Sequence, residues 1–218
     1  AGHPRANPEE AMNPTTPRLT TDPVVSARLL DVYSAIDGGD WKLMINNHDE
    51  LRIRLVSQGI EDPETRSSMT WDDANLFFVS CIDLTRNGRP YPLETGISKE
   101  KFGRFPYGDG SSISYLRDWI RDSRRDAEHL EEMTDLLEKL NSRMSGTSME
   151  KGVGRLEILG WLTNEETTNL RKAITSRCWT PSAEEPLDGG CQDAAKHIVA
   201  HLRAAEKRRC GVLLRIHK

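Results

Sequence analysis

Apolar residues recur every three or four positions along most of the chain, and residues that start or stop helices divide this pattern into segments. The spacing predicts helices over residues 23–36, 41–58 and 71–86, which end before Gly38-Gly39, Gly59 and Asn87-Gly88, and Asp40 is expected to cap the second of them. The third segment is apolar on most sides, which indicates a helix in the centre of the core. These segments favour a helical protein.

The longest periodic stretch covers residues 113–144 and predicts a single long amphipathic helix. Such a stripe packs on the core, on another helix such as residues 164–178, or on a second copy of the chain, and it therefore suggests self-association. Its apolar positions are spaced three or four apart: Leu116, Ile120, Ala127, Leu130, Met133, Leu137, Leu140 and Met144. Further on, Thr163 and Glu166 have the spacing of a capping box, and a final helix is expected over 192–209.

These patterns predict an all-α fold, an irregular domain of six or seven helices over residues 23–210. Residues 1–22 hold four prolines and no apolar period, so we expect a flexible N-terminal arm. Residues 211–218 are expected to form a short basic C-terminal tail. Alternation with period two is rare outside residues 212–216.

Residues 86–112 lack helical periodicity, and a segment of this length is functional, disordered or an overlooked hairpin. Cations alternate there with aromatic rings, as they do where proteins bind single-stranded nucleic acid. In the alternative interpretation, the rings only anchor the loop in the core. The candidate ligand-binding residues are Arg86, Arg89, Tyr91, Lys101, Phe102, Arg104, Phe105 and Tyr107.

Charge is distributed unevenly, although the net charge of the chain is only −4. Residues 191–218 carry seven Lys and Arg against two acids, whereas the rest of the chain is acidic. A basic end of this kind attracts polyanions, and the excess of Arg over Lys suits phosphate recognition or reflects codon usage. The cations assigned to neutralising a phosphate backbone are Lys196, Arg203, Lys207, Arg208 and Arg209. In the alternative interpretation, they are solvated flanks of a docked amphipathic helix.

His197 and His201 are four residues apart on the predicted final helix and could bind one metal ion together. Cys178 and Cys191 would complete a zinc site, although no Cys-x-x-Cys pair accompanies them. The alternatives are surface histidines with buried thiols, or a disulfide between Cys178 and Cys191. No cofactor is required by any other motif.

No arrangement of nucleophile, base and acid is recognisable in the sequence. The leading hypothesis is a non-enzymatic, self-associating helical protein that binds RNA or another polyanion, as a nucleocapsid-like viral protein or a regulatory protein does. The alternatives are a protein–protein adaptor and an enzyme whose site is not visible in the sequence, with zinc as its candidate cofactor. No apolar stretch is long enough for a membrane span, and four cysteines indicate a reducing compartment, cytoplasmic or nuclear.

Overall fold

The computed structural model describes residues 18–93, 105–123, 127–176 and 178–217. Helices and strands are interspersed along these ranges. The helices are α1 (Ser26–Ile36), α2 (Trp41–Asn47), α3 (Asp49–Ser57), α4 (Asp73–Cys81), α5 (Ser112–Trp119), α6 (Ala127–Ser142), α7 (Asn164–Thr175) and α8 (Gly190–Arg208). The strands are β1 (Arg18–Val24), β2 (Ile120–Asp122), β3 (Lys151–Gly152), β4 (Leu156–Leu162), β5 (Trp179–Pro181) and β6 (Gly211–His217).

An antiparallel sheet in the order β1-β6-β4-β3 forms the middle layer of the fold. Side chains of successive strand residues point to opposite faces, and both faces of β6 are buried. Val212 and Leu214 belong to the core shared with α5–α8, whereas Leu213 belongs to the core shared with α1–α4. The sheet is therefore covered by four helices on each face.

The prediction of an all-α fold is wrong. The fold is α+β, with 53% of the described residues in helices and 16% in strands of two antiparallel sheets. A strand buried on both faces reads as a continuous apolar run rather than as an alternation. The run Val212-Leu213-Leu214 of β6 is of this kind, and it lies in residues 212–216, whose period-two pattern was assigned to a tail and not to a strand.

The predicted flexible arm and basic tail are also wrong where the structure describes them. Residues 18–24 form β1, and residues 211–217 form β6, the strand between β1 and β4. The buried side chains of Asp22 and Arg215 form an ion pair across the two strands. The two residues are 193 positions apart in the sequence, so no local sequence pattern predicts their pairing. Residues 1–17 of the predicted arm lie outside the described residues.

The single long helix predicted over residues 113–144 is instead two helices, α5 and α6, with β2 between them. β2 pairs with β5 in a second, two-stranded sheet. The apolar stripe of α6, which includes Met133, Leu137 and Leu140, is buried with Leu170 of α7 in one core. The self-association prediction therefore no longer rests on this stripe.

Three other helix boundaries differ from the sequence-based prediction. α1 begins at Ser26 because β1 extends through Val24, and a break at His48 separates α2 from α3. α4 ends at Cys81, where the guanidinium groups of Arg28 and Arg54 donate hydrogen bonds to carbonyl groups of residues 79, 80 and 82. The capping box of α7, in which Thr163 and Glu166 bond reciprocally, is confirmed.

Gly160 marks the closest approach between α6 and the sheet. A Cβ atom at this position would lie 2.1 Å from the carbonyl oxygen of Lys139. The strand register also shifts between Ile158 and Gly160, where β4 pairs with β6. Only glycine therefore lets α6 pack this tightly on β4.

Candidate functional site

A groove of about 440 Å³ lies between the C-terminal end of α7 and the outer face of α8. This volume is in the range of ligand-binding clefts. We call it the α7–α8 groove; its lining residues are Ile174, Thr175, Trp179, Gln192, Ala195, Lys196, Val199, Ala200 and Arg203. Two of the predicted cations, Lys196 and Arg203, thus border the same groove, and no acidic side chain of the described residues lines it.

The amphipathic pattern of α8 explains why the groove has an apolar floor and a cationic edge. Ala195 and Val199 lie on the buried side of the helix. The exposed side carries Lys196, Arg203 and Lys207 within about 40° of one another around the helix axis and over about 16 Å along it. We call these three residues the α8 cation row. It presents three positive charges along one side of α8, two of them beside the apolar floor of the groove.

The cations at the groove are weakly held by neighbouring acids. Lys196 lies 3.5 Å from Asp193, but both side chains are more than 70% exposed, and such pairs contribute little stability. Arg203 is exposed and makes no ion pair within the described parts of the chain. Both side chains can therefore turn toward an anionic ligand at low cost.

Trp179 is the groove residue that the sequence analysis missed. It lies in β5, directly after α7, and is half-buried. Its indole Nε1–H donates a hydrogen bond of 2.9 Å to the carbonyl oxygen of Ile174, which fixes the ring and uses its polar edge. The indole surface left at the groove is therefore carbon. The sequence did contain a signal for Trp179 as a candidate site residue. It is a large aromatic residue outside every apolar period, two residues before Pro181.

A second group of predicted residues meets at a hairpin after α4. Arg86 and Arg89 are exposed in the turn between Thr85 and Arg89, closed by the Thr85 N–H bond to the Arg89 carbonyl (2.7 Å). Tyr91 follows this turn, and the Cζ atom of Arg208 lies 5.4 Å from its ring centroid. The segment is thus in part a hairpin, one of the three forms considered for it.

Arg208 contacts this hairpin and does not belong to the α8 cation row. Its guanidinium group lies 2.7 Å from the Asp83 carboxylate and donates a second bond of 2.9 Å to the Pro92 carbonyl. These contacts tie the end of α8 to the chain after α4. Arg209 next to it is exposed and ends α8 in the left-handed conformation, with φ 51°.

The predicted rings of the loop have different environments. Phe105 is buried, with its ring centroid 4.6 Å from that of Tyr115 on α5, so it anchors the loop in the core. Tyr107 is 42% exposed and lines a cavity of about 360 Å³ with Asp109, Arg117 and other polar residues. Lys101, Phe102 and Arg104 lie outside the described residues.

Three of the four proposed zinc ligands have separate hydrogen-bond partners within the protein. The thiol of Cys178 contacts the Ala173 carbonyl oxygen and that of Cys191 the Trp119 carbonyl oxygen, and neither forms a disulfide. His201 donates from Nδ1–H to the carbonyl oxygen of His197 at 2.9 Å. Across the described ranges, no three His, Cys, Asp or Glu side chains are grouped to hold a metal ion. The zinc site stays a prediction that this geometry does not support.

Burial shifts the pKa of several titratable groups away from the values that catalysis at neutral pH would need. It raises the pKa of the Cys191 thiol to about 12 and that of Cys81 further. Both thiols are therefore protonated at neutral pH and are poor nucleophiles. Burial also lowers the pKa of His201 to about 4, which keeps its imidazole neutral. Burial is the largest cause of each of these three shifts.

Comparisons with known proteins give the chain no relative: no family model, curated protein or solved structure matches it. Among the helices in the described ranges, none has both the length and the apolarity that crossing a lipid bilayer requires. The function must therefore be argued from the α7–α8 groove itself.

Proposed function

We propose that this protein is a non-enzymatic binding protein that holds a phosphate-bearing polymer, such as RNA, along the α8 cation row and in the α7–α8 groove. The observation that carries the proposal is the lining of this groove, where Lys196 and Arg203 border an apolar floor with no carboxylate among them. The chain as a whole is acidic, so a cationic lining is a local departure from its composition.

The spacing of the cations suits a ligand with repeated charges. Lys196 and Arg203 are two helical turns apart, which separates them by about 10 Å along α8, and Lys207 extends the row by another turn. A polyanion can bridge all three positions, whereas a single small anion meets only one of them. The acidic remainder of the protein repels the same ligand, so binding should be modest and should weaken steeply with salt.

The other cations of the basic end contribute less to this proposal. Arg215 is buried against Asp22, and Arg208 is paired with Asp83, so their charges are already compensated. Self-association is not part of the proposal, because the α6 stripe that suggested it is buried within one chain. The four buried, free thiols fit a cytoplasmic or nuclear location.

The test is a fluorescence-anisotropy titration of a labelled 20-nucleotide single-stranded RNA at several salt concentrations. The variant is Lys196→Ala/Arg203→Ala. Loss of two phosphate contacts should flatten the log–log dependence of affinity on salt by about 1.4, since each contact on a single strand contributes about 0.7. The matched control is Lys42→Ala/Arg52→Ala, which removes two exposed cations from α2 and α3 on the other face of the sheet.

The control variant should bind as the unchanged protein does, because its charge loss is equal but lies away from the groove. Equal weakening in both variants would show only a general effect of net charge and would overturn the assignment to the groove. Absence of binding at low salt to both RNA and linear polyphosphate would overturn the proposal as a whole. An adaptor role would then remain, supported by the aliphatic part of the groove floor.

A further inference from the structure

We infer that the α7–α8 groove takes unpaired bases and that Trp179 stacks on one of them, so that the polyanion is a single-stranded nucleic acid. This inference rests on the proposed polyanion binding and adds its ligand class. The α8 cation row alone would bind any polyphosphate. What distinguishes the groove is a fixed aromatic ring beside the row.

Trp179 has the properties of a stacking platform. Its indole N–H is already bonded to the Ile174 carbonyl, so ligand binding breaks no hydrogen bond of the ring and costs little side-chain freedom. Two backbone bonds hold the strand that carries it: Ser123 N–H to the Cys178 carbonyl (3.1 Å) and Ser182 N–H to the Trp119 carbonyl (2.8 Å). The ring is therefore positioned before any ligand arrives.

The rest of the groove fits the flat, apolar face of a base. Ala195, Val199 and Ala200 supply small side chains to the groove lining, and Thr175 and Gln192 supply polar atoms. Lys196 and Arg203 lie on the same groove wall as the small residues, where the phosphates on either side of an inserted base would pass. Single-strand sites combine these two components, a cationic track and an aromatic ring.

A duplex cannot use this groove, because its bases are paired and stacked on one another. A duplex would meet only the α8 cation row and would bind through charge alone. Linear polyphosphate has the charge without the bases. The inference therefore predicts a ranking of ligands in which single-stranded RNA binds more tightly than a duplex or polyphosphate at equal charge.

The experiment measures the affinity of the full chain for three labelled ligands: a 20-nucleotide single-stranded RNA, a duplex and a linear polyphosphate, each with the same number of negative charges. The variants are Trp179→Leu and Trp179→Phe. The control is Trp71→Leu, which removes a half-buried indole from a different cavity, next to α4. Circular dichroism and thermal melting establish that each variant is folded.

We expect Trp179→Leu to weaken single-stranded RNA binding about 10-fold, the effect of losing one stacked base, and to leave polyphosphate binding unchanged. Trp179→Phe keeps a ring and should lose less, which separates stacking from a structural effect. Trp71→Leu should bind all three ligands as the unchanged protein does.

Equal affinity for the three ligands, with no effect of Trp179→Leu, would overturn the inference while leaving polyanion binding in place. Failure of all three ligands to bind would overturn the proposed function together with the inference. A third ligand class completes the test: an acidic helical peptide with leucines at every third or fourth position. Trp179-dependent binding of this peptide without RNA binding would assign the groove to a protein partner and would overturn the inference.

Discussion

His201 should make the stability of this protein fall between pH 6.5 and pH 4. Its side chain lies on α8 and is only 4% exposed. Its pKa is lowered from 6.5 to about 4, first by desolvation and to a smaller extent by the charge of the nearby His197, while the bond to the His197 carbonyl opposes the shift. The two imidazole centroids are 5.3 Å apart. The folded protein therefore holds His201 neutral at a pH where the unfolded chain protonates it.

The sign and the size of the effect follow from this difference in pKa. Between pH 4 and pH 6.5 the unfolded state binds the extra proton, so acid favours unfolding. The part of the unfolding free energy that depends on a neutral His201 is fully present above about pH 7. It is lost progressively as the pH falls toward 4. A shift from 6.5 to about 4 corresponds to about 3 kcal/mol of unfolding free energy, at about 1.4 kcal/mol per pH unit.

The measurement is urea unfolding, followed by tryptophan fluorescence, from pH 7.5 to pH 3.5 for the unchanged protein and for His201→Asn. Asparagine keeps a donor near the position of Nδ1 but does not titrate. Carboxylates titrate equally in both proteins, so the difference between the two stability curves isolates His201. We expect this difference to change by about 3 kcal/mol across the range.

A difference curve for His201→Asn that stays flat from pH 7.5 to pH 3.5 would refute the reasoning. So would an NMR titration in which the His201 imidazole protonates near pH 6.5 in the folded state, because its burial would then carry no cost.

Three substitutions test the packing of the sheet and its helices, each read as a change in urea midpoint. Asp22→Asn leaves the Arg215 charge buried without its partner and should cost about 3–5 kcal/mol, whereas replacing both residues by apolar ones should cost less; equal losses would contradict the account of the pair. Gly160→Ala should cost at least about 1–3 kcal/mol because α6 must move from β4, and an unchanged midpoint would refute that close approach. Thr163→Ala removes the cap of α7 and should cost about 1 kcal/mol, whereas Thr163→Ser should be nearly neutral.

Helix ends defined by nearby residues were predictable from the sequence. The capping box of Thr163 and Glu166 and the cap of Asp40 each depend on atoms three residues apart, so a short window contains their full cause. The final helix was placed within two residues of α8 at its N-terminal end, although α8 has no side-chain cap, because its apolar pattern is also local. Boundaries set by distant residues were not predictable, such as the end of α4 against Arg28 and Arg54.

The candidate site was predictable only in part. Charge counts located the basic end of the chain, and helical spacing aligned Lys196 with Arg203 on one side of α8. The sequence could not separate these cations from Arg208 and Arg215, whose charges are compensated by Asp83 and Asp22. It also could not bring Trp179 to the groove, because that contact requires α7 to pack beside α8.

The sequence by itself determined which segments are amphipathic, where local caps begin helices and where positive charge accumulates. Only the tertiary structure decided that residues 18–24 and 211–217 are strands, because each gains its backbone hydrogen bonds and its burial from a partner far along the chain. Local preference is weak compared with this burial, and polar residues such as Thr20 and Thr21 become strand interior through it. The sheet then sets the positions of α7 and α8, and with them the groove in which the proposed function lies.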